Sequence, residues 1–323
     1  MWTAADFGWG EFARANALPP PQTGLMTFEK LYALIDAGHG QGHFQRYKPW
    51  LRVTKRDLSP NSVIGHLPAP TLGRTHHYRS IAEKDTIHIA KWLGAIDVRD
   101  QFPAWPWMHQ HPGVGLPGFD GTSKLRGLIS ISKEAGVEHG NYIGTKIPYV
   151  ATIDLLTTWI SPDKKHYLIA LQNKPEKISK SPEPNTRPKQ RLEIIRRYCA
   201  ESNITHRIIH AENFPRELPV NLELLEPNLR TQEIQSIANS HLYKRVLHEL
   251  KINGYSDPPQ KIINYVASKN KSQLDILYKL LHLALWRTDI DHDLTLPYRP
   301  CDPLTKGGEK FLYDLRCAWG VLQ

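Results

Sequence analysis

The sequence predicts an α/β protein in which a mixed sheet is flanked by helices and followed by a small winged-helix-like helical domain. Three observations predict it. Residues 149–175 read as an apolar β-hairpin, a helix and a strand precede and follow that hairpin, and from about Thr231 the pattern changes to short helices. With 323 residues and 40% hydrophobic content, the chain is long enough for two packed cores rather than one. The expected organisation is an N-terminal arm and short helix over 1–46, an α/β domain over 47–228 and the helical domain over 229–323.

Taken in order, Met1–Pro21 is a Trp/Phe/Ala-rich arm whose Pro19-Pro20-Pro21 would stop a helix over Gly10–Leu18. Thr27–Ala37 has an N-cap candidate and apolar residues at helical spacing, and the Gly/His-rich run Gly38–His43 breaks it. Tyr47–Arg79 reads as short strands and turns carrying Lys48, Arg52, Lys55, Arg56 and Arg74, charges suited to a solvated face. Ser80-Ile81-Ala82-Glu83 opens a helix to about Leu93 with the capping-box pattern, in which the Glu reaches back to the N-cap amide. Glu83 also shares a helical face with Ile87, Ala90 and Gly94, at the head of an apolar stripe that should face a sheet. Ala95–Phe102 alternates and reads as a strand ended by Pro103 and Pro106.

Ala104–Pro148 is a long Trp/His/Gly-rich stretch with one helix expected over Lys124–Ala135. Its His109, His111 and His139 lie in Pro/Gly loops with no third ligand at useful spacing, which reads as solvated loop histidines rather than a metal centre. In the hairpin, Val150–Ile160 and His166–Asn173 flank the turn residues Ser161–Lys165. A five-residue loop pairs Ile160 with His166, which sets Asp154 opposite Gln172 and Thr152 opposite Lys174. After it, Pro175–Lys189 is Pro/Ser/Lys-rich and leads into a helix with Pro188 near its start; His206–Ala211 is a further strand. The C-terminal part reads as helices over Gln232–Leu250, Gln260–Ala267 and Ser272–Trp286, with Ile290–Leu294 as a small wing.

Composition narrows the partners. The formal charge of +9 favours a polyanion, with nucleic acid the usual one. Between Lys174 and Arg197 there are eight Lys/Arg against three Glu, so Lys177, Lys180, Arg187, Lys189, Arg191, Arg196 and Arg197 form the expected phosphate-tracking surface. Three cysteines without CxxC spacing indicate neither a disulfide framework nor a zinc finger, and point to a reducing, intracellular setting. No signal pattern and no membrane-length apolar run is present, so the expectation is a cytoplasmic chain with no membrane partner.

Asp154, Gln172 and Lys174 converge in a sheet that could have been wholly apolar, and ions there must be paired, hydrating a metal, or both. One reading is a structural Asp–Lys pair at a sheet end. The other is a divalent-metal nuclease site, with Asp154 as a hard oxygen ligand, a carbonyl near Gln172 as a second, and Lys174 orienting or deprotonating the attacking water. Asp289, Asp291, His292 and Asp293 form a rival acidic cluster whose position after a helix suits a turn into the wing.

The ordered set of Glu83, Gln101-Phe102-Pro103, Ile153-Asp154 and Gln172-x-Lys174 resembles the restriction-endonuclease-like fold and, more narrowly, the TnsA-type endonuclease subunits of heteromeric transposases. Tyr47-Lys48-Pro49-Trp50 and the run Arg74 to Glu83 add to the likeness, which spans roughly Tyr47 to Leu225. The resemblance implies a DNA endonuclease that cuts the strand at each transposon end left uncut by a TnsB-type recombinase, under a TnsC-type ATPase regulator. It implies Mg²⁺, with Mn²⁺ able to substitute, held by Glu83 and Asp154 with Gln172 helping to place a ligand, and Lys174 serving the water. Such a chain acts at the nucleoid. A stand-alone restriction or repair nuclease and a non-enzymatic winged-helix DNA-binding regulator are the other classes compatible with the residues.

Overall fold

The computed structural model describes residues 25–54, 62–180, 183, 186–229 and 234–321. The expected arm, together with Lys55 and Arg56, lies outside the described residues. Two compact units emerge. One comprises 1–67, 76–84 and 95–211, and the other comprises 68–75, 85–94 and 212–323, so the chain passes between them within the Glu83 helix and again after Ala211.

In the first unit, α1 (Phe28–Asp36) is capped by Thr27, whose hydroxyl accepts from the Lys30 amide at 3.1 Å. Leu31 and Ile35 of α1 pack with Trp50, Trp105, Ile147 and Val150. The short N-terminal helix is therefore part of this unit's core rather than of a separate arm. Strands β1 (Gly65–Ala69) and β2 (Arg74–Tyr78) form a two-stranded sheet, and α2 (Ile81–Leu93) follows.

The main sheet has the order β3-β6-β7-β8, with β3 (Asp97–Ala104), β6 (Ala151–Ile160), β7 (His166–Asn173) and β8 (Thr205–Ile209). The first three are antiparallel and β8 runs parallel to β7, giving the expected mixed sheet. Strand β3 continues through Pro103, which the sequence placed beyond its end. Pro103 pairs with Thr152 on an edge strand, where a missing N–H on the outer side costs no ladder bond. That edge is covered. The Phe44 and Trp50 amides and the Tyr47 hydroxyl bond Asp97 Oδ2, Gln101 O and Asp100 O respectively, so the outer groups of β3 are matched rather than left as a pairing template.

The long stretch after β3 holds the short pair β4 (His109–Gln110) and β5 (Lys124–Leu125), then α3 (Leu128–Glu134). The helix is shorter than expected because Lys124 and Leu125 are drawn into strand pairing. Gly127 fits where a Cβ would come within 2.1 Å of Pro106 O, and it lets the chain turn directly into α3. After α4 (Glu176–Ser179), α5 (Arg187–Glu201) begins with a proline in its first turn and buries Ile194, Ile195, Tyr198 and Cys199 in a cluster with Ile153, Leu156, Leu168 and Ala170.

The second unit contains α6 (Glu217–Leu225), α7 (Ile234–Ala238), α8 (His241–Asn253), α9 (Pro259–Asn270), α10 (Leu274–Trp286) and α11 (Gly308–Trp319). Ser240 caps α8 and breaks the single helix expected over Gln232–Leu250 into two. The expected wing is a correction: among the described residues, 287–307 contains no strand. Its acids have structural partners instead. Asp291 accepts the Gly307 and Glu309 amides at the start of α11, Asp293 bonds Thr295, and Asp289 receives the Tyr243 hydroxyl and Arg287.

Candidate active site

The predicted hairpin register holds, from Ile160↔His166 to Leu155↔Leu171. Just past that last pair the Asp154 carboxylate takes over a backbone partner. Its Oδ2 accepts the Asn173 amide at 2.7 Å and faces Lys174 Nζ at 3.5 Å. Lys174 Nζ also donates to Asn173 O at 2.9 Å, and its own amide bonds Ile209 O of β8 at 3.0 Å. The side chains remain 13% and 30% exposed for Asp154 and Lys174, so the pair is reachable from solvent.

Glu83 sits in the first turn of α2 and closes a variant of the expected capping box. Its amide donates to Ser80 Oγ at 3.1 Å, as an N3 residue should, and its Oε2 accepts the Arg79 amide at 2.9 Å, one residue upstream of the capping-box partner. The same oxygen accepts from Gln101 Nε2 at 3.0 Å. Burial, and then the charge of Asp154, push the Glu83 carboxyl up to about 7, against smaller opposing effects from the Arg79 amide and Lys174. Asp154 is also pushed up by burial, with Lys174 and the Asn173 amide opposing. The structure thus brings Glu83, Asp154 and Lys174 into one electrostatic group.

Gln172 has a partner on β8 that the sequence did not announce. It is buried one position past the last β6–β7 pair, Leu155↔Leu171, is paired with Ile208 of β8, and its Oε1 accepts from His206 Nε2 at 2.8 Å. Burial, reinforced by Arg196 and Arg207, lowers His206 to about 4 and keeps it neutral. The Gln172 side-chain oxygen is thus engaged by β8.

The donor chemistry fits a small hard cation. Burial raises both carboxyls and the Asp154 charge raises Glu83 further, and a cation beside them would relieve this. The loop histidines are excluded as ligands for a reason other than solvation. His109 is buried between Trp107 O and the Tyr198 hydroxyl, and His111 bridges Ser202 O and the Gly113 amide.

The basic surface is less free than the residue count implied. Arg196 and Arg197 both pair with Glu193, Lys180 pairs with Glu176, and Arg187 bonds the carbonyls of Glu138 and His139. Arg191 lies over the Tyr149 ring and Lys177 is exposed. Lys189 is half-buried near the start of α5.

The residues that sequence reasoning left unassigned are Gln101 and His206. Gln101 was visible in the Gln-Phe-Pro run, but its bond to Glu83 depends on a backbone conformation that the residue type does not announce; His206 reaches Gln172 across a parallel pairing.

The first unit is thus a mixed α/β sheet flanked by helices that carries two neighbouring carboxyls and a lysine. Residues 124–211, which contain Asp154, Gln172 and Lys174, match the family model described as the TnsA-like endonuclease N terminal. Over 248 residues the chain is 27% identical to the transposon Tn7 transposition protein TnsA of Escherichia coli, covering 76% of each chain. These two likenesses support a TnsA-type endonuclease.

Proposed function

We propose that the chain is a divalent-metal-dependent DNA endonuclease subunit of a Tn7-type transposase, cutting the 5′ (non-transferred) strand at transposon ends. The observation that carries this reading is the Asp154 carboxylate, set between Lys174 and the Asn173 amide and coupled to Glu83. Glu83 and Asp154 would hold Mg²⁺, or Mn²⁺ in its place, which when bound supplies Lewis acidity to the scissile phosphate and an acidified water. Lys174 orients or activates the attacking water and offsets charge that builds on the phosphate oxygens. Gln172, held by His206, lines the site with its amide and helps to place a ligand. The products are a 5′-phosphate and a 3′-hydroxyl.

The partners in this reading are transposon-end DNA, a TnsB-type recombinase and a TnsC-type ATPase regulator, and the setting is the bacterial nucleoid. No helix among the described residues is long and apolar enough to cross a membrane. End-labelled transposon-end DNA, incubated with the partners and Mg²⁺, tests the proposal. Loss of 5′-strand cutting in both Asp154→Ala and Lys174→Ala is expected; undiminished cutting by Asp154→Ala contradicts it.

A further inference from the structure

We infer that Gln101 is the positioning residue that aims the Glu83 carboxylate at the cation site, acting through its side-chain amide from the strand position facing Asp154. The inference rests on the nuclease reading above. The β3–β6 register pairs Asp100 with Leu155 and Phe102 with Ile153, which places Gln101 across from Asp154. Its backbone there is left-handed, with φ +49°, although it is a buried strand residue with 2% exposure. Left-handed geometry at a residue other than Gly, Asn or Asp is disfavoured and persists where its surroundings hold it.

Three bonds hold it. Gln101 O accepts the Trp50 amide at 3.3 Å, its Oε1 accepts the Thr152 hydroxyl at 3.4 Å, and its Nε2 donates to Glu83 Oε2 at 3.0 Å. Each end of the amide therefore has an assigned partner, which fixes which end faces Glu83. Because Gln101 Nε2 and the Arg79 amide both take Oε2, Oε1 is the Glu83 oxygen left for a cation. A carboxylate on the first turn of a helix is thereby tied to the strand that faces the second acid. Hydrogen-bonding partners of this kind behind metal ligands typically change metal affinity by about 10–100-fold when removed.

The test uses the full chain and Mn²⁺ alone, with free Mn²⁺ followed by electron paramagnetic resonance and folding by thermal melting. Gln101→Met keeps length and removes the donor, while Gln101→Gly removes the amide and relieves the left-handed backbone. The expected result is a cooperative melt with Mn²⁺ affinity at least about tenfold weaker. The Mg²⁺ concentration for half-maximal cleavage with the partners should rise in parallel. Unchanged Mn²⁺ affinity and Mg²⁺ dependence in a folded variant overturn the inference, as does failure of both variants to fold, which would assign Gln101 to the fold alone. Asp154→Asn separates the two levels. If it loses Mn²⁺ while the Gln101 variants keep it, the positioning role alone falls; if the unaltered chain takes up no Mn²⁺, the metal reading falls and this inference with it.

Discussion

Lys174 Nζ stands 3.5 Å from Asp154 Oδ2, immediately beyond the last backbone pair of the β6–β7 hairpin. An ammonium and a carboxylate at a strand end would suffice as a structural pair, but a second carboxyl, Glu83, feels both, pushed up by Asp154 and down by Lys174. Lys174→Ala is expected to lower cleavage by about 10²–10⁴-fold, the range for a positioned group that handles a proton. The protein should still melt cooperatively, since both side chains are partly exposed. Single-turnover cleavage and a thermal melt on the same preparation check this.

Glu83 gives the metal-free protein a pH-dependent stability. Its folded carboxyl titrates at about 7 against an ordinary 4.5, so between these values the folded state holds a proton that the unfolded state has lost. Stability should therefore fall as pH rises through this window, by about 3 kcal/mol in all. Glu83→Gln should flatten that slope, and melting curves from pH 4.5 to 8 in chelator measure it.

Glu226 in the second unit has the opposite sign. Burial pushes its carboxyl up, but bonds from His88 and Lys91 outweigh this and hold it down at about 2. Its contribution is present above the ordinary 4.5 and is lost as pH falls toward 2. Glu226→Ala, which leaves buried His88 without its partner, should cost about 2–4 kcal/mol near neutral pH. Denaturant unfolding at pH 7 and pH 3 should show a smaller difference between variant and parent at the lower value.

On the basic surface, engagement rather than charge count decides the effect. Lys177→Ala and Arg191→Ala should each weaken DNA binding and reduce the salt slope by about 1, the signature of one lost phosphate contact. Arg187→Ala should instead lower stability, because its guanidinium holds the Glu138 and His139 carbonyls. Binding isotherms at several salt concentrations separate the two outcomes.

The hairpin was legible because β-branched runs around Ser161-Pro162-Asp163 determine both strand and loop length, and side-chain alternation then assigns faces; the observed Ile160↔His166 pair follows. Glu83 was legible as a cap, and its closeness to the charge of Asp154 agrees with the apolar stripe that should face the sheet. Other features depended on distant contacts. Nothing local in Gln101 signals a left-handed φ, and nothing local in His206 signals that a parallel strand carries it to Gln172. The wing failed because alternate acids at 289–293 serve equally well as caps, and Asp291 is used to start α11. The basic run overcounted available charge because Glu193 sits one helical turn from both Arg196 and Arg197.

Transposition with Asp154→Ala beside the TnsB-type and TnsC-type partners in Mg²⁺, scoring simple insertions against cointegrates, tests the central claim most directly. The account predicts that joining persists and the products switch to cointegrates, because one strand at each end stays uncut. Simple insertions continuing at the level of the unaltered chain would contradict it, and Asp154 would then be one half of a structural ion pair.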